Sequence, residues 1–205
     1  MRQIAVALED YAAAHDGQLP PAAVYDKDGK ALLSWRVPLL PYLEEDLPIH
    51  LDEPWDSPDN LSLLPRMPQV YRAVHYPSNE SLPQRSSTFC QVFTGKGTAF
   101  DGTEGRYPEV FGAPAGSVFL VVEAAKPVPW TKPADIEYDD DQPLPQLGGV
   151  FVGGGMFSLF GENRPRGFCA ALDNGQVIFV EPTVDPADLR RAIKRNEGNV
   201  PQKWK

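Results

Sequence analysis

The residues best suited to chemistry crowd between Glu44 and Asp59, where Glu44, Glu45, Asp46, Asp52, Glu53, Asp56 and Asp59 share a short stretch with His50. Two carboxylates at a working separation can run the acid and base steps of glycoside hydrolysis, and an imidazole two residues before Asp52 adds a candidate base or ligand. Such density also arises by chance in an acidic chain, and neither His15 nor His75 shares a motif with His50. The sequence contains no G-x-S-x-G, H-E-x-x-H, Walker or dinucleotide signature. "GKGTAFDGTEG", beginning at Gly95, carries Lys96 among glycines but lacks the second half of a phosphate loop, so it reads as consecutive turns. Hydrolase activity therefore ranks behind a non-enzymatic structural role and a binding role.

A second constellation occurs twice. Pro54-Trp55-Asp56-Ser57-Pro58 and Pro129-Trp130-Thr131-Lys132-Pro133 each set one large ring between two prolines. Proline fixes its own backbone and biases the residue before it toward extended forms, so each segment is stiff around its indole. One reading makes Pro54, Trp55, Pro58, Pro129, Trp130 and Pro133 a structural clamp that pins long loops. The alternative makes Trp55 and Trp130, with Asp52 and Glu53, a site for a sugar or another solute, to which Trp35 and Trp204 could add stacking surface. The acidic run Asp139, Asp140 and Asp141 reads as a solvated loop, or as a calcium site, since a hard cation takes loop carboxylates and carbonyls. It has no EF-hand spacing.

These residues belong to an unusually punctuated chain. With 22 Pro and 17 Gly in 205 residues, helical bundles and doubly wound sheets are excluded in favour of short strands and long ordered loops. The length suits one domain, 1–205. A net charge of −9 argues against a grip on nucleic acid phosphates or anionic lipid. Cys90 and Cys169 lie in apolar runs without metal spacing and read as two buried thiols or as a disulfide between neighbouring strands. No run approaches the length needed to span a bilayer, and the opening residues lack the features of a signal peptide.

The elements that must position these groups are legible in part. Ile4, Ala7, Leu8, Tyr11 and Ala12 share one face, which predicts a helix to about His15 stopped by Gly17, Pro20 and Pro21. Without an N-cap ahead of it, residues 1–16 read as the remaining half of a longer helix. A turn is expected at Asp28-Gly29, a helix capped by Ser34 over "WRVPLLPYLEED" that Pro38 and Pro41 keep short or irregular, and a helical turn in "SLLPRMP", with "QVYRAVHY" a strand or connector. Strands are expected near 88–94, 117–124, 148–152, 167–172 and 176–181, with 126–147 a long loop. Asn174-Gly175 predicts a type I′ hairpin turn. Asp185 as N-cap, Pro186 at the first position, late basic residues and Gly198 after the stop predict a terminal helix within 183–205.

Several long phrases, in order, carry a likeness to a known family: "QIAVALEDYAAAHDGQLPP", "LDEPWDSPDNLSLLPRMPQVY", "FTGKGTAFDG", "VVEAAKPVPWTKPADIEYDDDQPLPQLGG" and "DLRRAIKRNEG". They resemble the DUF1559 proteins, the pilin-like, prepilin-type family of planctomycete bacteria, also labelled as solute-binding. "LDEPWDSP" is also similar to a phrase of type II secretion major pseudopilins, in which a nearby loop binds calcium. The resemblance implies an α+β, pilin-like fold: an N-terminal helix packed on an antiparallel sheet, with proline-rich loops and a C-terminal helix. It implies a structural subunit outside the cytoplasmic membrane, its parent anchored by an upstream helix that also contacts itself or other pilin-like subunits. The present chain, without that helix, is expected to be mainly monomeric and to need no cofactor other than calcium. Many family members end with a His, nine residues and Asp-Gly; Arg164 and Asn174 stand at those places here, which favours a turn over chemistry.

Overall fold

The computed structural model describes residues 1–72, 86–102, 115–148 and 167–196. His75, Arg164, Gly198, Trp204 and all but the first residue of the strand expected at 148–152 lie outside them. Helix α1 (Arg2–Ala14) follows the apolar spacing: Ile4, Ala5, Ala7, Leu8 and Ala12 are buried. Its end is a left-handed pair, Asp16 and Gly17, and the Gly17 N–H returns to the Ala12 carbonyl at 2.8 Å. Strands β1 (Ala23–Tyr25) and β2 (Ala31–Ser34) form a hairpin around Asp26, whose carboxylate accepts the N–H groups of Asp28 and Lys30.

The helix expected after Ser34 does not form. Ser34 closes β2 instead, and only a 3-10 turn at Leu40–Leu43 follows, ended by Glu44 at a φ of 57°. Pro38 and Pro41 remove two donors that an α-helix there would need, while Trp35 and Arg36 are drawn into the core. A helix not foreseen, α2 (Pro58–Leu63), starts at Ser57, whose Oγ accepts the Asn60 N–H. The expected turn in "SLLPRMP" appears as a 3-10 turn at Leu64–Arg66, and of the strand or connector expected at "QVYRAVHY" the described part, Gln69–Tyr71, is a connecting 3-10 turn.

The main sheet is antiparallel, in the order β3 (Ser87–Gln91), β5 (Phe119–Pro129), β7 (Phe168–Leu172), β8 (Val177–Val180). Between them in sequence, β4 (Phe93–Thr94) pairs in parallel with β6 (Ile136–Glu137), so the expected loop 126–147 contains the end of one strand and all of another. Each face of the sheet has its own core. On one, Ile4, Leu8 and Ala12 of α1 join Leu120, Val121 and Ala171 together with Trp35, Tyr71 and Trp130. On the other, Leu189, Ala192 and Ile193 of α3 (Pro186–Ile193) join Phe119, Val122, Phe168, Leu172, Ile178 and Val180. Helix α3 begins as its sequence predicts, with the Asp185 carboxylate accepting the Ala187 N–H at 2.8 Å. The chain is therefore an α+β protein with a helix on each face of a central sheet.

Two local expectations are corrected. The β7–β8 turn is not type I′, because Asn174 does not take a positive φ; Gly175 alone does, at 76°, in a three-residue loop. Asp173 is the reason: its carboxylate turns inward and accepts the Ser117 and Val118 N–H groups at 2.8 and 3.0 Å, tying the hairpin to the start of β5. The Asn174 carboxamide caps the Gln176 N–H instead. Cys90 and Cys169 are free. They lie on β3 and β7, on either side of β5, so their backbones are about two strand spacings apart, ~9.5 Å, beyond the reach of a disulfide. Burial, and then the neighbouring Glu123 carboxylate, push the Cys169 thiol up to about 11.

Candidate functional site

Both proline–tryptophan segments come to β2. The Trp55 N–H donates to the Leu32 carbonyl at 2.9 Å, and the Ser34 N–H donates to the Thr131 carbonyl at 2.9 Å. The prolines set the approach. Pro58 opens α2, Pro129 ends β5 and accepts the Lys132 N–H in a tight turn, and the Pro54 carbonyl accepts the Ser57 N–H. Pro133 follows that turn.

The two rings end in different places. Trp130 is fully buried, its Nε1–H donating to the Leu64 carbonyl at 3.1 Å and its ring stacked on Tyr71 with centroids 6.2 Å apart. Neither of its faces is offered to a solute. Trp55 is half-buried at the edge of the same core, with the Lys132 ammonium 5.3 Å from its ring centroid. Trp35, a further candidate for stacking, is also fully buried, donating from Nε1 to the Asp135 carboxylate at 3.0 Å and tilted against Phe100. No sugar platform is built from Trp35, Trp55 and Trp130 together.

A polar node holds this region together. The buried Arg36 guanidinium pairs with Asp135 at 2.8 Å, donates twice to the Cys90 carbonyl at 3.0 and 2.6 Å, and reaches the Ser34 hydroxyl. The same Asp135 oxygen accepts the Val92 N–H, and the Arg36 carbonyl accepts the Tyr71 hydroxyl at 3.2 Å. One ion pair thus joins the end of β2, β3, the Val92 backbone between β3 and β4, and the segment after Trp130. Burial pushes the Asp135 carboxyl up, opposed by the Arg36 charge and then by the Trp35 and Val92 donors; burial likewise raises Tyr71. Sequence reasoning missed this pair. Its trace was an arginine inside the apolar run "LLSWRVPLL", which a core admits only with a partner.

The carboxylates that opened the argument are partly gathered. Asn60 is fully buried, and its side chain accepts the His50 N–H and donates to the carbonyls of His50, Glu53 and Pro54. The loop is thereby folded back on α2, which brings one ligand atom each of His50, Glu53 and Asp59 within 4.8 Å of one another. Asp52 and Asp56 stay exposed and do not belong to this group. Asn60 carried no functional signal in the sequence beyond lying three residues after a good N-cap.

At the other acidic loop one carboxylate, that of Asp140, already has a cationic partner. Asp140 pairs with Lys194 at 2.6 Å and accepts the Tyr138 hydroxyl at 2.8 Å, and these partners hold its carboxyl below the usual range. Arg190 of α3 donates to the Asp140 and Gln142 carbonyls, while Asp139 accepts the Asp141 N–H. Asp139, Asp140 and Asp141 are not among the groups whose ligand atoms lie within 4.8 Å of one another, and Lys194 already occupies the Asp140 carboxylate.

The sequence pattern of one family, described as protein of unknown function (DUF1559), matches residues 1–118. The phrases from β5 onward that resemble that family lie beyond the matched span. No curated protein and no solved structure matches the chain.

Proposed function

The chain belongs to the family of proteins of unknown function DUF1559, and from that premise we propose that it is a non-enzymatic, pilin- or pseudopilin-like structural subunit of the cell envelope. In this reading the sheet with its pinned loops is a displayed head, and α1 is the part of an assembly helix that packs on it. The observation that carries the reading is the one-sidedness of α1. Ile4, Leu8 and Ala12 are used against the sheet, while Arg2, Gln3, Val6, Glu9 and Asp10 face outward. A helix continuing upstream would leave the head with its own apolar stripe free for neighbouring subunits or a membrane. No helix of the described residues is itself long and apolar enough to cross one. The burial of Trp130 and the Arg36–Asp135 pair supports the same reading, because groups that could serve a solute are spent on rigidity.

Mass spectrometry of the native N-terminal peptide, taken from the membrane fraction, tests it. A mature peptide extending upstream of Met1, hydrophobic and N-methylated after leader cleavage, is the expected result. A native chain that starts at Met1 and remains in the soluble fraction removes the assembly helix and overturns the proposal.

A further inference from the structure

We propose that His50, Glu53 and Asp59 form a binding site for a divalent transition-metal ion of the zinc type. The three side chains come from two pieces of backbone, the loop before Trp55 and the first turn of α2, yet one ligand atom of each lies within 4.8 Å of the others. His50 Nδ1 and Glu53 Oε1 are 3.7 Å apart. Two ligand atoms bound to one tetrahedral zinc stand about 3.4 Å apart, given metal–ligand distances near 2.1 Å. One edge of the site is therefore almost at its bound length, and rotation of the exposed Asp59 side chain closes the others.

Charge is a second, separate argument. Among the described residues no lysine or arginine pairs with Glu53 or Asp59; the one ionisable side chain paired with either is the His50 ring. This contrasts with Asp140, which takes Lys194, and with Asp135, which takes Arg36. Two carboxylates brought together without a cationic side chain leave a local excess of negative charge that a bound cation would neutralise. The imidazole decides which cation. A nitrogen ligand with two carboxylates suits zinc, nickel or copper, whereas calcium and magnesium prefer oxygen alone.

The site is also held in advance. The backbone on which His50 and Glu53 stand is fixed by Asn60, fully buried, next in sequence to Asp59 and bonded to the His50 and Glu53 backbones. Ordering of the loop is thus complete before the metal arrives, and only exposed side chains remain to be placed. Three protein ligands leave the fourth position to water. The inference is independent of the envelope role proposed above.

Isothermal titration of the 205-residue chain with zinc chloride after EDTA treatment, with calcium chloride in parallel, tests the site. One zinc per chain is expected, with calcium at least tenfold weaker. Each of His50→Asn, Glu53→Gln and Asp59→Asn should weaken zinc at least tenfold, since loss of a direct ligand costs no less than loss of its supporting hydrogen bond. Zinc should also raise the melting temperature of the parent chain but not of the variants. Because all three side chains lie at the surface, the melting temperatures in EDTA should agree; if one variant unfolds, the other two decide. Zinc binding that fails to saturate, or that is unchanged in the variants, overturns the proposal. Calcium binding equal to zinc and indifferent to His50→Asn overturns it equally, because the site would then use oxygen alone.

Discussion

The Pro54–Pro58 and Pro129–Pro133 segments share one pattern and dock on one strand, yet Trp130 is fully buried and Trp55 is not. Their neighbours make the difference. Trp130 follows the end of β5 and is inserted beneath the turn at Leu64–Arg66, where Tyr71 stacks on it and the Leu64 carbonyl takes its N–H. Trp55 comes from a surface loop whose shape is set by Asn60, and its ring meets only the edge of the core and a lysine. A stiff backbone delivers a ring to a place; what already stands there decides whether the ring becomes an anchor.

The sharpest break of this comparison is Trp130→Ala against Trp55→Ala. Removing Trp130 should cost about 3–5 kcal/mol, as expected for a large buried ring whose cavity cannot collapse. Removing Trp55 should cost about 1–2 kcal/mol, in keeping with partial burial. Urea denaturation of both variants checks the order, and equal losses would show that the two rings do the same work.

A smaller effect separates the loops themselves. Asn60→Ala leaves the His50, Glu53 and Pro54 backbone groups without their shared partner and should cost about 1–3 kcal/mol. It should also shift Trp55 emission toward the exposed value while leaving the buried Trp130 unchanged; Trp55→Phe and Trp130→Phe backgrounds assign the signal.

The smallest effect concerns the acidic loop. Lys194 and Tyr138 hold Asp140 below its ordinary value of 3.8, so the folded state favours the ionised form. That contribution is full above pH 3.8 and is lost as pH falls through the lowered value. Asp140 is solvent-exposed and Lys194 only partly buried, so Asp140→Asn should cost under about 1 kcal/mol near neutrality, and less in salt. Its defining sign is a shallower loss of stability on acidification below pH 3.8 than in the parent chain, read from melting temperatures between about pH 5 and 2.

How much of this was legible in the sequence differs by element. The helix over residues 2–14 and the helix at Pro186 were readable because apolar spacing and capping residues act within a turn or two. The pattern at 88–94 and 167–181 was readable as strands for the same local reason. The helix expected at Ser34 failed because its first residues, Trp35 and Arg36, had better partners far along the chain in Asp135 and Cys90. Of the site residues, the acidic cluster was visible only as a density. Nothing local distinguished His50, Glu53 and Asp59 from Asp52 and Asp56.

The sequence by itself determined the family and, through that resemblance and the local strand and helix patterns, the α+β class; it also determined the stiffness of the two proline–tryptophan segments, which depends on neighbours a few residues away. Only the tertiary structure decided that Trp130 is buried while Trp55 stays half-exposed, that Cys90 and Cys169 cannot bond, that Asp140 meets Lys194, and that Asn60 gathers one histidine and two carboxylates. Those outcomes depend on which distant residues share a place, and in this chain the loops that dock on β2 and the strands that flank β5 come from far away in sequence.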